Sequence, residues 1–384
     1  MNSFQFQAKT KILFGSGEIN KVADEARTYQ AKSVFIVTDK GIVKAGLLDK
    51  LTKPLDTAGI EYVVFDEIEP NPTDSTVLKG AKVMKEVQAN LVFALGGGSP
   101  MDAAKSIAVM ATNDQPIEQF CDTGVDPWPN SPAPIVAIPT TAGTGSEVSG
   151  AAMINLVAQS RKACMFGPSI LPVTAILDPE LTLGLPPKLT AWTGIDALNH
   201  AFEAFIARYS NPFTDMIAEK AIELAVNNIR QAYRTPGDLE ARGNMLIAST
   251  MAVMAASAGL GVVHSLAQTI GGYYDAPHGL AIAVCFVPGI KYNLECEQEK
   301  FARVSQIMGT DTSGMSLDQA ARSMIPALQS LLDDLDIPRG LDSLGVKEID
   351  IPKLAEIAML DGSTMANPRP LEKSDFVTLF SHGL

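Results

Sequence analysis

The hydrophobic residues in the first half of the chain form short runs separated by longer amphipathic stretches. Five runs rich in Val, Ile, Leu and Phe predict β-strands at residues 33–37, 62–65, 91–95, 135–138 and 173–177. Helical patterns such as residues 74–87 lie between several of them. Strands that alternate with helices indicate a largely parallel, Rossmann-like sheet with helices packed on it. Ligands of such sheets bind beyond the carboxyl ends of the strands.

The pattern changes after Leu185-Pro186-Pro187. No later segment is typical of a strand, and apolar residues recur at helical spacing from Ile195 to Tyr209. Further helices are predicted at residues 215–233, 239–260 and 317–335. The fold class that we predict is an N-terminal α/β nucleotide-binding domain, residues 1–185, followed by an all-helical metal-binding domain, residues 186–384.

Residues 245–263 contain no charged side chain and are long enough to cross a bilayer as a helix. Much of the segment is Ala, Ser, Gly and Thr, which favour lipid only weakly. We therefore predict a buried helix at the centre of the helical domain rather than a membrane span.

Composition and charge narrow the class of partner. The 384 residues are 46% hydrophobic and 19% charged, as in globular proteins of more than one domain. A net charge of −13 disfavours nucleic acid and anionic membranes, so a small-molecule partner is expected. Four scattered cysteines and an N-terminus without the apolar core of a signal peptide predict a cytoplasmic protein.

A glycine-rich turn follows the predicted strand at residues 91–95. Gly97, Gly98 and Ser99 lead into a helix, where free backbone N–H groups of the first turn attract anions. The turn predicts a phosphate site, although Met101 breaks the GxGxxG fingerprint. An ordinary tight strand-to-helix turn is the alternative.

A second turn of small and hydroxyl-bearing residues follows the strand at residues 135–138. Thr140, Thr141 and Thr144 supply hydroxyls that can line a pyrophosphate or a ribose without adding charge. Two such turns in one sheet predict a dinucleotide ligand.

Asp39 lies just after the first predicted strand, at the end of the segment SVFIVTD. A carboxylate there can accept hydrogen bonds from both ribose hydroxyls and repels a 2′-phosphate, which favours NAD over NADP. The alternative is that Thr38 or Asp39 only caps a helix that begins at Lys40.

One carboxylate and three histidines form a candidate metal site. Asp196 and His200 are four residues apart, which places them on one face of a helix. His264 ends the uncharged helix, and His278 lies in a turn. This donor set suits Fe²⁺ or Zn²⁺ with positions left for substrate. Two alternatives to a metal site remain. The histidines could be hydrogen-bonded core residues, or the polar residues of this helix, including Asn199 and Glu203, could form a solvated stripe.

Several longer motifs occur in a fixed order along nearly the whole chain. They are FGSG (14–17), PNPT (70–73), GGGSPMDAAK (96–105), PTTAGTGSEVS (139–149), DPELT (178–182), LPPKLTAWTGIDALNHAFEAF (185–205), GLGVVHSLAQTIGGYYDAPHG (259–279) and NPRP (367–370). In these motifs the sequence resembles the iron-containing, or group III, alcohol dehydrogenase family.

The resemblance implies hydride transfer between a primary alcohol or diol and NAD(H), in a cleft between the two domains of an enzyme that is at least a dimer. Fe²⁺, or alternatively Zn²⁺, would act as the Lewis acid. The implied metal ligands are Asp196, His200, His264 and His278. The implied NAD(H) contacts are Asp39, Gly97, Gly98, Ser99, Thr140, Thr141, Thr144 and Lys162.

Gln268 departs from the family pattern, because many relatives carry a second histidine four residues after the position of His264. Glutamine can form hydrogen bonds but cannot titrate. We therefore expect Gln268 to orient the substrate, with His278 as the other predicted catalytic residue, while protons leave through water or ribose hydroxyls.

Other functions remain compatible with the same two-domain plan. Polyol dehydrogenases, maleylacetate reductases and dehydroquinate synthases share it, but the synthases need several basic residues that the substrate-side segments here do not offer. A protein that binds NAD and metal but has lost activity at Gln268 is a further alternative, and the complete ligand set argues against it.

Overall fold

The computed structural model describes residues 3–159 and 161–383. The chain forms two compact units. Residues 8–141 and 145–184 make up an α/β unit. The chain from Leu185 onward makes up a helical unit, which residues 3–7 and 142–144 also join.

The α/β unit is built around one parallel sheet. Its elements are β1 (Lys11–Phe14), α1 (Val22–Thr28), β2 (Val34–Val37), α2 (Lys40–Lys44), α3 (Leu47–Ala58), β3 (Tyr62–Phe65), α4 (Asp74–Glu86), β4 (Leu91–Gly96), α5 (Gly98–Thr112), β5 (Ile135–Pro139), β6 (Ala151–Leu156), β7 (Arg161–Phe166) and β8 (Thr174–Leu177). Six strands pair in the order β1-β8-β5-β4-β2-β3, all parallel. β6 and β7 form a separate antiparallel pair.

Alternate residues of the central strands enter two different cores. In β2, Phe35 and Val37 pack with α4 and α5, whereas Val34 and Ile36 pack with α1 and α3. Because both faces of β2 and β4 are covered, these strands are apolar without interruption, which is why the sequence pattern predicts them. The predicted α/β fold class is confirmed.

The structure also contains three strands that the sequence pattern does not predict. β1 lies at the edge of the sheet and is largely exposed, so its sequence KILF carries no continuous apolar run. β6 and β7 are half-buried, with buried and partly exposed residues alternating along most of their length. Their polar positions, including Arg161 and Lys162, hide the strand pattern.

The second unit is helical. Its helices are α6 (Pro187–Ile206), α7 (Pro212–Arg234), α8 (Leu239–Ala255), α9 (Val262–Tyr274), α10 (His278–Asn293), α11 (Gln298–Ile307), α12 (Leu317–Arg322), α13 (Met324–Asp334), α14 (Ile351–Ala358) and α15 (Lys373–Gly383). Residues 185–383, all of which the structure describes, contain no strand, as the sequence predicts.

The prediction of one continuous helix over residues 245–263 is wrong. α8 ends at Ala255, α9 begins at Val262, and the two helix directions differ by 106°. Gly259 turns the chain between them with a φ of +103°, and a Cβ there would lie 2.2 Å from the side chain of Ala366. The apolar residues of this segment, such as Met245, belong to the buried core of the helical unit.

Within the described residues, no single helix is long and apolar enough to cross a membrane. The segments Leu239–Ala258 and Val262–Tyr274 meet that length and hydropathy criterion only when they are taken together, and they are the pair bent by 106°.

Candidate active site

Four side chains from three helices converge in the helical unit. Asp196 and His200 lie one turn apart on α6, His264 lies in the first turn of α9, and His278 is the first residue of α10. The Oδ1 atom of Asp196 is 3.5 Å from His200 Nδ1, 3.8 Å from His264 Nε2 and 3.6 Å from His278 Nε2. The Nε2 atoms of His200 and His264 are 3.1 Å apart. The predicted ligands are therefore brought together around one carboxylate oxygen.

These residues fit a divalent metal ion. Asp196 Oδ1 and His200 Nδ1 are buried, and neither has a hydrogen-bond partner among the described residues. Leaving such atoms unsatisfied costs about 1–3 kcal/mol each. Tetrahedral ligands about 2.1 Å from a metal are about 3.4 Å from one another, close to the separations seen here. Asp196, His200 and His264 are buried, whereas 34% of the His278 side chain is exposed, so the cluster has one accessible side.

Burial alone disfavours charge in this cluster. Desolvation lowers the pKa of His264 to about 3 and raises the pKa of the neighbouring Glu203 carboxyl to about 7. Both shifts favour the uncharged forms of these groups. A bound divalent cation would supply positive charge beside the buried Glu203 carboxyl and would favour its ionised form.

Glu203 and Asn367 both belong to the ordered motifs at residues 185–205 and 367–370, but the sequence does not indicate a role for either. Glu203 Oε2 lies 2.5 Å from His264 Nδ1, and Asn367 Oδ1 accepts a hydrogen bond from the backbone N–H of Val262 at 3.1 Å. The alternative of a solvated polar stripe on α6 is wrong, because Asn199 and Glu203 are buried. The absence of Lys and Arg between Thr190 and Ala207 was the signal for that burial.

Gln268 lies one turn after His264 on α9, so the two side chains share a helix face. It is partly exposed, in contrast to the buried His264. This position is compatible with contact to a bound substrate, and the catalytic roles of Gln268 and His278 stay predictions.

In the α/β unit, most of the predicted nucleotide contacts lie at one edge of the sheet. β2, β4 and β5 are neighbours, and their parallel register pairs Val37 with Ala94 and Gly96 with Pro139. The segments after these strands contain Asp39, the turn with Gly97, Gly98 and Ser99, and the turn with Thr140 and Thr141. These residues therefore lie at the carboxyl ends of three neighbouring strands, which is where dinucleotides bind in this type of fold.

The two predicted phosphate turns touch each other. Gly96 has a φ of +150°, and a Cβ at that position would lie 2.6 Å from the ring of Pro100. Gly97 precedes the first turn of α5, and a Cβ there would lie 3.4 Å from the hydroxyl of Thr141. Glycine at both positions keeps the backbone at the helix N-terminus open.

Asp39 caps α2, because its Oδ1 atom accepts a hydrogen bond from the backbone N–H of Ile42 at 2.9 Å. The capping alternative is thus present in the structure. A carboxylate has a second oxygen, so the cap is compatible with the predicted contact between Asp39 and a ribose. The hydroxyl of Thr38 is fully buried and does not act as the cap.

Asn71 joins two predicted contacts that are distant in sequence. Its backbone N–H donates to Ser99 Oγ at 3.3 Å, and its Oδ1 accepts from Lys162 Nζ at 3.1 Å. Asn71 has a φ of +55°, a conformation that asparagine tolerates better than most residues. The PNPT motif contained this residue, but the sequence did not indicate its partners.

The predicted contact Thr144 belongs to the helical unit, whereas the other predicted NAD(H) contacts belong to the α/β unit.

The sheet has the glycine-rich and hydroxyl-rich turns of a dinucleotide-binding fold, and the helical unit has a cluster of one carboxylate and three histidines. Together these features indicate a class of protein, the metal-dependent, nicotinamide-linked oxidoreductases. Residues 9–179 match the family described as iron-containing alcohol dehydrogenase, and residues 190–384 match the C-terminal part of the same family.

Individual relatives agree with this class. The chain is 40% identical over 380 residues to the 1,3-propanediol dehydrogenase of Klebsiella pneumoniae, which covers 98% of each chain. It is 36% identical over 368 residues to the lactaldehyde reductase of Escherichia coli (strain K12), which covers 96% of each. A crystal structure of a 1,3-propanediol oxidoreductase superimposes with a TM-score of 0.97 at 39% identity over the whole of both chains.

The chain belongs to the iron-containing alcohol dehydrogenase family. It is an oxidoreductase that interconverts alcohols and aldehydes with NAD(H) and a metal ion. The predicted family, enzyme class and cofactors are confirmed. The individual ligands and cofactor contacts stay predictions.

Proposed function

We propose that the protein reduces a short aldehyde that carries a second oxygen, or oxidises the corresponding diol. In this proposal Asp196, His200, His264 and His278 hold the metal ion. The proposed NAD(H) contacts are Asp39, Gly97, Gly98, Ser99, Thr140, Thr141, Thr144 and Lys162.

The convergence of three imidazoles on Asp196 Oδ1 is the observation that carries the metal assignment. The distances of 3.5–3.8 Å are too long for hydrogen bonds, and the oxygen has no other partner among the described residues. A cluster that served only packing would satisfy this buried oxygen. A bound Fe²⁺ or Zn²⁺ supplies Lewis-acid polarisation of the alcohol or aldehyde oxygen.

The chain's own residues then bind and orient the substrate. His278 is the most exposed of the four proposed ligands, and Gln268 offers an amide that can donate to or accept from a substrate oxygen. Because Gln268 does not titrate, the proton leaves through water or the ribose hydroxyls of the cofactor.

The substrate class is supported by the relatives. 1,3-Propanediol and lactaldehyde, which appear in the names of two relatives, are three-carbon compounds that each carry two oxygens. A hydroxyl group on the substrate gives an amide such as Gln268 a hydrogen-bond partner in addition to the carbonyl oxygen, whereas a plain aldehyde offers the carbonyl oxygen alone.

Steady-state NADH oxidation with three aldehydes of equal carbon count tests this proposal. 3-Hydroxypropanal or 2-hydroxypropanal should exceed propanal in kcat/KM by about tenfold, as expected for one extra hydrogen bond. Equal rates would refute the substrate class and leave the enzyme class intact. Binding of NADH and metal without turnover of any aldehyde would instead support the inactive alternative.

We also propose that the enzyme is a homo-oligomer, at least a dimer, and that it works in the cytoplasm. β1 is an exposed edge strand with Ile12 and Phe14 in solvent, which is the kind of edge that a second chain covers. All four cysteines, which lie in the described part of the chain, are free thiols, as in a reducing compartment. Sedimentation equilibrium of the purified protein tests the first point, since a monomer at micromolar concentration would refute it.

A further inference from the structure

Glu203 is a buried carboxylate whose surroundings are unusual. Its side chain is 2% exposed, and no lysine or arginine of the described residues pairs with it. Its Oε2 atom lies 2.5 Å from His264 Nδ1, and Asn199 Nδ2 donates to the same oxygen at 3.3 Å. The Oε1 atom accepts a hydrogen bond from the backbone N–H of Val263 at 2.7 Å.

The contact with Glu203 determines which ring nitrogen of His264 faces the cluster. When Nδ1 carries a proton and donates it to Glu203, Nε2 keeps its lone pair. Nε2 is the atom that lies 3.1 Å from His200 Nε2 and 3.8 Å from Asp196 Oδ1. A carboxylate on the far nitrogen is the usual device by which proteins orient a metal-binding histidine.

Charge balance points to the same residue. One carboxylate, three neutral imidazoles and a divalent ion together carry a charge of +1. Asp196, His200 and His264 are all buried, and an unbalanced buried charge is costly. The anionic form of Glu203 makes the buried assembly neutral.

The backbone of α9 holds the Glu203 carboxylate in place. Val263 N–H donates to Glu203 Oε1, and the neighbouring Val262 N–H donates to Asn367 Oδ1. Gly261 leaves room for both groups, because a Cβ there would lie 2.9 Å from Glu203 Oε1 and 2.7 Å from Asn367 Oδ1. The same helix terminus therefore fixes His264 and the carboxylate that orients it.

We propose that Glu203 is a positioning residue of the metal centre, which fixes the Nε2-binding form of His264 and neutralises the bound ion. The inference rests on the proposed metal site. It adds a residue that touches neither the metal ion nor the substrate.

Metal affinity is the direct test, measured by chelator competition with Zn²⁺ and by the absorption spectrum of the Co²⁺-loaded protein. Glu203→Gln keeps the size of the side chain and an oxygen for Val263 N–H, but it removes the charge. We expect it to weaken metal binding by about 10- to 100-fold and to shift the Co²⁺ bands.

Glu25→Gln is the matched control. Glu25 is a buried carboxylate of the α/β unit that accepts hydrogen bonds from Lys11 and Thr174. Its substitution removes an equally buried charge but should leave metal affinity and spectrum unchanged.

Wild-type affinity and an unaltered Co²⁺ spectrum in Glu203→Gln would overturn the inference and leave the proposed metal site standing. Failure of the wild-type protein to bind metal would overturn both. If the variant does not fold, a crystal structure of the Zn²⁺-loaded wild type decides. His264 should bind through Nε2 with Nδ1 against Glu203, and binding through Nδ1 would contradict the inference.

Discussion

Lys105 is a fully buried cation that joins two segments of the α/β unit. Its Nζ atom donates to Ser146 Oγ at 2.5 Å and to the carbonyl of Ala151 at 2.8 Å, and it lies 3.7 Å from Asp102. Ser146 Oγ in turn donates to Asp102 at 2.8 Å. Burial lowers the pKa of Lys105, and the charges of Asp102 and Glu147 oppose that shift. The network ties α5 to the turn that follows β5.

We predict that Lys105→Met destabilises the protein by about 3 kcal/mol, because it leaves Asp102 without its cationic partner. Chemical unfolding measures the loss, and titration with NADH should show weaker binding, since both glycine-rich turns depend on this contact. Lys79→Met is the control, because Lys79 forms an ion pair with Glu67 on the surface. Equal losses in the two variants would show that the buried network has no special role.

Gln268 offers a test of proton handling at a single position. Gln268→His introduces an imidazole, whose ordinary pKa is about 6.5. A new ionisation should therefore appear in the pH profile of kcat/KM. Gln268→Asn, which also changes the side chain but adds no titratable group, should show no new ionisation. An unchanged profile in the histidine variant would refute a proton-handling role for this position.

The sequence predicted residue positions best where local spacing determines them. The four-residue spacing of Asp196 and His200 placed both on one face of a helix, and the structure brings them together. The partnership of Glu203 with His264 could not be predicted, because it is a tertiary contact between α6 and α9 across 61 residues of sequence. Similarly, the contact of Asn71 with Lys162 depends on β7, a strand that the sequence pattern did not indicate.

At the scale of elements, the interruption of helical structure between α8 and α9 positions His264 in the metal cluster. The sequence predicts one buried helix over residues 245–263, because the segment contains no charged side chain and many small residues. The glycines at its end allow the turn that starts α9 beside Glu203 and Asn367. Hydrophobic periodicity does not reveal such a turn, because both helices are buried and apolar.

Gly261→Ala tests the importance of this helix start. The added Cβ would lie 2.7 Å from Asn367 Oδ1 and 2.9 Å from Glu203 Oε1, so both caps of α9 must move. We expect a loss of about 1–3 kcal/mol in unfolding free energy, together with weaker metal binding.

Gly272→Ala in the same helix is the control. A methyl group at this position would meet no atom within 4 Å beyond its chain neighbours and the backbone of its own helix, so alanine should stabilise the protein by about 0.5–1 kcal/mol. A Gly261→Ala protein as stable as the wild type, with unchanged metal affinity, would show that the close approach at this position is not required.

At the scale of the whole molecule, each unit carries one set of the proposed site residues. The α/β unit carries the proposed nucleotide edge, and the helical unit carries the candidate metal cluster. The sequence predicted this division because a parallel sheet and a helical array have different hydrophobic periods. The identity of the substrate is not encoded in either pattern, and the proposal of a hydroxylated aldehyde rests on the relatives.

Metal add-back tests the central claim most directly. The protein would be stripped of metal under anaerobic conditions, reloaded separately with Fe²⁺ or Zn²⁺, and assayed for NADH oxidation with 3-hydroxypropanal, with His264→Ala as the control. We predict no turnover without metal, restored turnover with at least one of the two ions, and no restoration in the variant. Full activity of the metal-free protein, or equal activity of His264→Ala, would contradict the assignment of a metal-dependent dehydrogenase to this cluster.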